Sequence, residues 1–209
     1  MQEEYLHLKL AKCTFDQTEV EYLGLIVKNR EVLMDPTKLK AVEQWEPPKL
    51  VKAVRSFIRF CHFYQKFIPN FSALACPLHD LTKKGVVFYW GKVQDNAFIN
   101  LKEIFLSTPV IKMPDTTKPY FIMTDTSLTT SGGVPMQKDA NGDLHPCAYH
   151  SATFSPAKQN YSIYDRELLA VIQALKEWGH YLTRTEHPVT VITDHKNLGY
   201  FKQPQNLTC

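Results

Sequence analysis

The sequence predicts an α+β protein: a short β-hairpin leads into a small helical bundle, and an α/β unit follows, made of a three-stranded antiparallel meander, a helix and a fourth strand. Three observations carry this. Apolar residues alternate across residues 5–27, recur every three or four positions between 35 and 108, and return to a period of two at Pro119. The chain of 209 residues, 44% hydrophobic and 22% charged, is long enough for one full domain or two small ones, each with a modest core. Only 8 Gly and 13 Pro among ordinary apolar content exclude a collagen-like or disordered chain.

At the start, HLKLAKCTF and VEYLGLIVK read as two strands around a polar turn at Asp16, Gln17 and Thr18. Asp35-Pro36 opens a helix, with Asp as its cap and Pro at the first helical position. Leu39, Val42 and Trp45 give that helix an apolar face, and it must stop before Pro47-Pro48. From Val51 to Ile68 the apolar positions Val54, Phe57, Ile58, Cys61, Phe63 or Tyr64, and Phe67 mark a buried helical face. The basic residues Lys52, Arg55, Arg59 and Lys66 occupy the rest of its surface. A third helix is expected from Asn70 or Ser72 to Lys84, where Pro77 implies a kink or a late start, and a fourth from Val93 to Leu106.

Beyond Pro119, YFIMTD (residues 120–125) forms an apolar strand ending in Asp. A Gly-rich strand over 132–137, an Asn141-Gly142 turn and a strand over 144–152 complete the meander, with Pro135 removing a ladder donor unless its strand bulges or lies at an edge. Residues 161–182 make the strongest helix, with Leu168, Val171, Ile172, Leu175, Trp178 and Leu182 on its core side. The strand VTVITD (residues 189–194) again ends in Thr-Asp.

No apolar run reaches the length of a bilayer span, and the charged, alternating start does not read as a secretory signal. Five scattered cysteines without a CxxC pair suit a reduced compartment, so an intracellular location, cytoplasm or nucleus, is expected, with no membrane partner. The net charge of +3 is uneven: residues 1–118 hold 17 basic against 13 acidic side chains, and residues 119–209 hold 7 against 8. That split suits a polyanion-binding first half and acidic chemistry in the second, although a basic surplus is also what an ordinary solvated face carries.

Two strands that finish in Thr-Asp, with Glu167 on the helix between them, suggest that Asp125, Glu167 and Asp194 meet at one sheet edge. Clustered carboxylates repel one another and need a cation. Hard oxygen ligands suit Mg²⁺ or Mn²⁺, and a pair of such ions can support in-line attack of water on a phosphodiester. Each residue also has a plainer reading: Asp194 as a helix cap, Asp125 as a turn residue, Glu167 as a solvated neighbour of Arg166. The five histidines from His145 to His195 show no metal spacing.

The segments LHLKLAKCTF, VEYLGLIV, MDPTKLKAVEQW, SFIRFCHFYQKFIPNFS, PLHDLTKK, FYWG, AFINLKEIF, TDTS, YSIYDRELLAVIQALKEWGHYL and VITDHKNL, in this order, resemble the pol polyprotein of gypsy-class LTR retrotransposons. The resemblance spans essentially the whole chain. It implies that residues 1–34 are the end of a reverse transcriptase palm, 35–112 a thumb-like helical subdomain, and 118–209 an RNase H-like domain that is C-terminally incomplete.

By motif, Asp125 of TDTS, Glu167 of YDRELLA and Asp194 of TDHKNL match three of the family's four metal-binding acidic positions, implying a two-ion Mg²⁺ or Mn²⁺ site that lacks its fourth carboxylate. The implied reaction is hydrolysis of the RNA strand of an RNA–DNA hybrid, and the implied partners are such a hybrid or another nucleic-acid duplex and the remainder of a pol polyprotein. Lys52, Arg55, Arg59 and Lys66 would contact phosphates, so binding there is sequence-independent and salt-sensitive. The polymerase YxDD-type motif is absent from the sequence, Thr126 stands where the family has a small Ala, and Arg59 where Gly is common. A non-catalytic nucleic-acid-binding remnant is the alternative reading.

Overall fold

The computed structural model describes residues 15–107 and 110–194, with Lys9 and Cys13 as further single positions. The first sheet is antiparallel, in the order β1 (Glu19–Tyr22), β2 (Leu25–Lys28), β3 (Glu31–Met34) and β4 (Ile111–Lys112). VEYLGLIVK is therefore itself a hairpin, not the single strand expected from its apolar run, and HLKLAKCTF lies outside the described residues except for Lys9, Cys13 and Phe15. Both hairpins close on two-residue turns with positive φ at each position, 52° and 75° at Leu23-Gly24, then 50° and 64° at Asn29-Arg30. Such turns match the right-handed strand twist. Leucine and arginine seldom supply that geometry, which is why the turns and β3 escape a reading by composition.

The carbonyl of Gly24 accepts from the Asp35 backbone N–H and the Tyr64 hydroxyl, both at 3.2 Å, tying the first turn to the helices. These are α1 (Pro36–Glu43), α2 (Val51–Phe63), α3 (Phe71–Asp80) and α4 (Lys92–Leu106), with a 3-10 turn at Gln65–Phe67. Asp35 caps α1 as expected, accepting from the Thr37 N–H and hydroxyl at 2.7 Å each. Val42, Val54, Phe57, Cys61, Phe67, Leu78, Leu101 and Phe105 are wholly buried between the helices. Tyr64 joins them and Phe63 does not, because α2 ends at Phe63 and the chain tightens into the 3-10 turn. Pro77 lies inside α3 without delaying its start, but the helix stops at Asp80, short of the expected Lys84.

The second sheet has the order β7–β6–β5–β9, with β8 also paired to β6. Its strands are β5 (Phe121–Thr126), β6 (Thr130–Lys138), β7 (Leu144–Pro146), β8 (His150–Thr153) and β9 (Thr190–Thr193). The meander's third strand is thus two pieces, and the break explains Pro135. β7 pairs with residues 136–138 and β8 with 130–133, so Pro135 faces the gap between them. Its carbonyl accepts from Cys147 N–H on that side at 2.8 Å. A strand residue points its N and its carbonyl the same way, so the missing donor costs the β5–β6 ladder nothing. Neither a bulge nor an edge position is needed.

Three helices follow the meander: α5 (Pro156–Gln159), α6 (Ile163–Glu177) and α7 (Gly179–Leu182). The continuous helix expected over 161–182 is broken at Trp178, which ends α6. Its buried stripe keeps the expected Trp178 but otherwise differs: Glu167, Ala170 and Ala174 face the sheet with it, while Ile172 and Leu175 are 40% and 39% exposed. The reason is the glycine pair of β6. A Cβ on Gly133 would lie 3.1 Å from the Trp178 ring and 3.3 Å from the Ala174 Cβ, so the helix sits too close to the sheet for leucine at that seam. The helical unit docks on the opposite side through Ser72 and Ser151, whose N–H, hydroxyl and carbonyl groups exchange three hydrogen bonds of 2.8–3.1 Å.

Candidate functional site

Thr124 of β5 pairs with Thr193 of β9 in a parallel register. Asp125 and Asp194 are the next residue on each strand. Equal spacing from an aligned pair turns both side chains to the same face, away from α6, and both are exposed. Glu167 arrives from α6. It heads the small-residue stripe of Ala170 and Ala174, three and seven positions on, so it is directed at the sheet where β5 ends. The three carboxylates converge, with one ligand oxygen from each lying within 4.8 Å of the others.

Burial separates Glu167 from its two neighbours, since it is only 4% exposed. Its Oε1 accepts a 2.5 Å hydrogen bond from the Thr126 hydroxyl, and among the described residues its Oε2 has no partner at all. A buried carboxylate oxygen without a donor is costly. Two further carboxylates beside it raise that cost unless a cation joins them, so the donor set of three hard oxygen ligands with one orphaned oxygen fits a divalent ion. Among the described residues Arg166 makes no ion pair with the set; its guanidinium donates to the Ser127 carbonyl at 3.3 Å.

Next to Asp125 a groove of about 180 Å³ runs toward the helical unit, lined by Met123, Gly132, Tyr149, His150 and, from the start of α3, Asn70. The basic residues of α2 lie elsewhere on the surface in two sets. Lys52, Arg55 and Arg59 are exposed at i, i+3 and i+7 on one face, and Lys66 falls on the 3-10 turn. Arg55 is partly engaged, donating to the Thr82 carbonyl at 3.1 Å beyond the end of α3. A second cleft, about 270 Å³, opens between the two sheets; Arg30 pairs there with Asp115 and His145 with Asp139, and Glu31, Lys112, Lys118 and Lys138 also line it.

Thr126 is the site residue whose role a reading of motifs misses. Its signal is parity: one position after an outward Asp125, it must point inward, toward α6. His195 lies outside the described residues. Of the other histidines, His145 pairs with Asp139 at 2.8 Å, His150 lies 3.7 Å from Glu177, and His187 contacts the Thr117 carbonyl at 2.9 Å.

A mixed sheet whose parallel edge pair delivers two aspartates, covered by a helix that delivers a glutamate, defines the RNase H-like class of α/β folds. Residues 90–191 match the family described as the RNase H-like domain found in reverse transcriptase. The chain is 37% identical over 193 residues, 92% of its length, to the Transposon Tf2-3 and Tf2-4 polyproteins of Schizosaccharomyces pombe, and spans 14% of each. In fold it is similar to the foamy viral protease-reverse transcriptase. The structure of that protein with double-stranded DNA has a TM-score of 0.74 at 19% identity, covering 90% of this chain and 39% of that one. The structure with an RNA/DNA hybrid has a TM-score of 0.73 at 20% identity, covering 90% and 26%. Residues 90–191 are thus similar to the RNase H-like domain of reverse transcriptases, and the chain as a whole is similar to one stretch of the Tf2 retrotransposon polyproteins. Among the described residues, no helix is long and apolar enough to cross a membrane.

Proposed function

We propose that Asp125, Glu167 and Asp194 form an RNase H-type centre that binds Mg²⁺ or Mn²⁺ and hydrolyses the RNA strand of an RNA–DNA hybrid. One observation carries this reading: the buried, unpartnered Oε2 of Glu167 beside two exposed aspartates. Asp125 and Asp194 hold their carboxylates outward, where a phosphodiester can approach, and together with Glu167 they would hold the ions. Bound there, the ions supply an activated water and charge stabilisation for the departing 3′ oxygen, leaving 3′-hydroxyl and 5′-phosphate ends. Glu167 stays buried on α6. In the same reading residues 1–34 are the end of a palm, 35–112 a thumb-like unit that tracks duplex phosphates through Lys52, Arg55, Arg59 and Lys66, and 118–209 the RNase H-like domain. The complexes of the foamy viral protein with double-stranded DNA and with an RNA/DNA hybrid support a duplex as the partner.

The test is cleavage of a hybrid labelled on its RNA strand by the full chain, with and without Mg²⁺ or Mn²⁺. Ion-dependent cleavage that disappears in Asp125→Asn is expected; cleavage indifferent to that substitution overturns the assignment. The exposed stripe of Lys52, Arg55 and Arg59 favours a second reading, duplex binding without cleavage. Salt-sensitive binding that survives Asp125→Asn, with no cleavage by the wild-type chain, would select it.

A further inference from the structure

Building on that centre, we infer that Thr126 is its positioning residue: the Thr126 hydroxyl holds Glu167 by Oε1 so that Oε2 is the oxygen left to meet an ion. The bond, 2.5 Å from Oγ1 to Oε1, lies in the range of charge-assisted hydroxyl–carboxylate contacts. It joins residues 41 positions apart, one on the sheet and one on the helix that covers it. Thr126 is well placed to impose an orientation. It is the last residue of β5 and is still held by its pairing with Ser131 of β6, after the β5–β9 pairing has ended at Thr124 and Thr193. Its β-branched side chain has few χ1 states, so a fixed backbone gives a fixed hydroxyl.

The alternation of β5 gives the two neighbours different tasks. Asp125 faces out and is free to ligate, whereas Thr126 faces α6 and reaches the carboxylate that α6 brings in. With Oε1 occupied by a donor, Glu167 offers one oxygen rather than a swinging pair, and its single buried acceptor needs the cation as partner. A hydroxyl that orients a ligand from behind in this way sets how tightly an ion is held rather than whether the fold forms.

The experiment is Mn²⁺ binding to the full chain, read as loss of the free-ion paramagnetic resonance signal, with the apo melting temperature recorded alongside. Thr126→Val, nearly the same shape without the hydroxyl, should bind Mn²⁺ about tenfold or more weakly. Thr126→Ser, which restores the donor, should bind as the wild type does. If Thr126→Val does not fold, Thr126→Ala asks the same question with less bulk. Equal Mn²⁺ affinity in the wild type and the hydroxyl-free variant, even with a lower apo melting temperature, makes Thr126 merely structural and overturns the inference while leaving the centre intact. A wild-type chain that takes up no Mn²⁺ overturns the centre and the inference together.

Discussion

Thr124 and Thr193 stand opposite each other in the parallel β5–β9 ladder, and this one pairing determines that Asp125 and Asp194 share a face and an edge. A slip of one residue in β9 would turn Asp194 toward α6 and dissolve the cluster. Because β5 and β9 are far apart in sequence yet paired directly, the acidic edge is a product of the folded second sheet.

An ion that binds only this folded edge must stabilise it. Saturating the chain at about one hundred times the dissociation constant should add roughly 2.7 kcal/mol to its stability. A melting curve recorded with Mn²⁺ should shift upward for the wild type and stay put for Asp125→Asn. An equal shift in both would place the ion elsewhere.

The seam between α6 and β6 leaves no room for a side chain on the strand. Gly133→Ala adds a methyl where the Trp178 ring is 3.1–3.2 Å away and the Ala174 Cβ 3.3 Å, with no flexible chain end to yield. Overpacking of this kind costs about 1–3 kcal/mol. Thermal or denaturant unfolding should show that loss. It should also weaken metal binding, since the helix that retreats from Gly133 carries Glu167.

How much of this was legible in the sequence depended on how local each cause is. Asp35-Pro36 announces α1, and the helical face of Val54, Phe57 and Cys61 is readable, because those signals act within a few residues. YFIMTD and VTVITD are legible as strands, and their shared Thr-Asp endings mark the acidic set. The buried face of α6 is not legible from its own residues: its leucines are more apolar than its alanines, and only the glycines of β6, some forty positions earlier, reverse the choice. Pro135 is similar, harmless only because β7 and β8 part opposite it. The link between Thr126 and Glu167 needs both effects at once, strand parity and helix placement.

In the helical unit, Phe57 holds the aromatic cluster. It is wholly buried, with Trp45 edge-on at 5.3 Å and Phe98 tilted at 4.7 Å. Phe57→Ala should cost about 3–5 kcal/mol, a large share of the stability of a small unit. Equilibrium denaturation checks it. A loss below about 1 kcal/mol would mean that the cluster collapses to fill the space.

Asp139 gives a pH signature away from the acidic edge. The hydrogen bond from His145, helped by the backbone N–H groups of Asp143 and Asn141, holds its carboxyl down at about 2 against an ordinary 3.8. The folded value is the lower one, so this contribution is complete above about pH 4 and disappears as the pH falls from about 4 through 2. In a carboxyl-carbon NMR titration, Asp139 should keep its charge to about pH 2 in the wild type and titrate closer to 3.8 in His145→Ala. An unchanged midpoint would assign the depression to the backbone donors alone.

The basic face of α2 should separate from the acidic edge when binding to a nucleic-acid duplex is measured against salt. Cations that neutralise phosphates release counterions, so removing one such cation lowers the slope of log affinity against log salt by about one. Lys52→Ala and Arg59→Ala remove exposed cations and should each do this, weakening binding equally for every duplex sequence while the melting temperature holds. Arg55→Ala should differ from both, because its guanidinium also donates to the Thr82 carbonyl beyond α3, and its removal should lower the melting temperature as well as the slope. Asp125→Asn should leave the slope unchanged or raise affinity slightly, since it removes a negative charge near the groove and leaves the phosphate-binding cations in place. If the three substitutions on α2 leave the slope where it is, the duplex does not track this helix, and the groove beside Asp125 becomes the surface to mutate next.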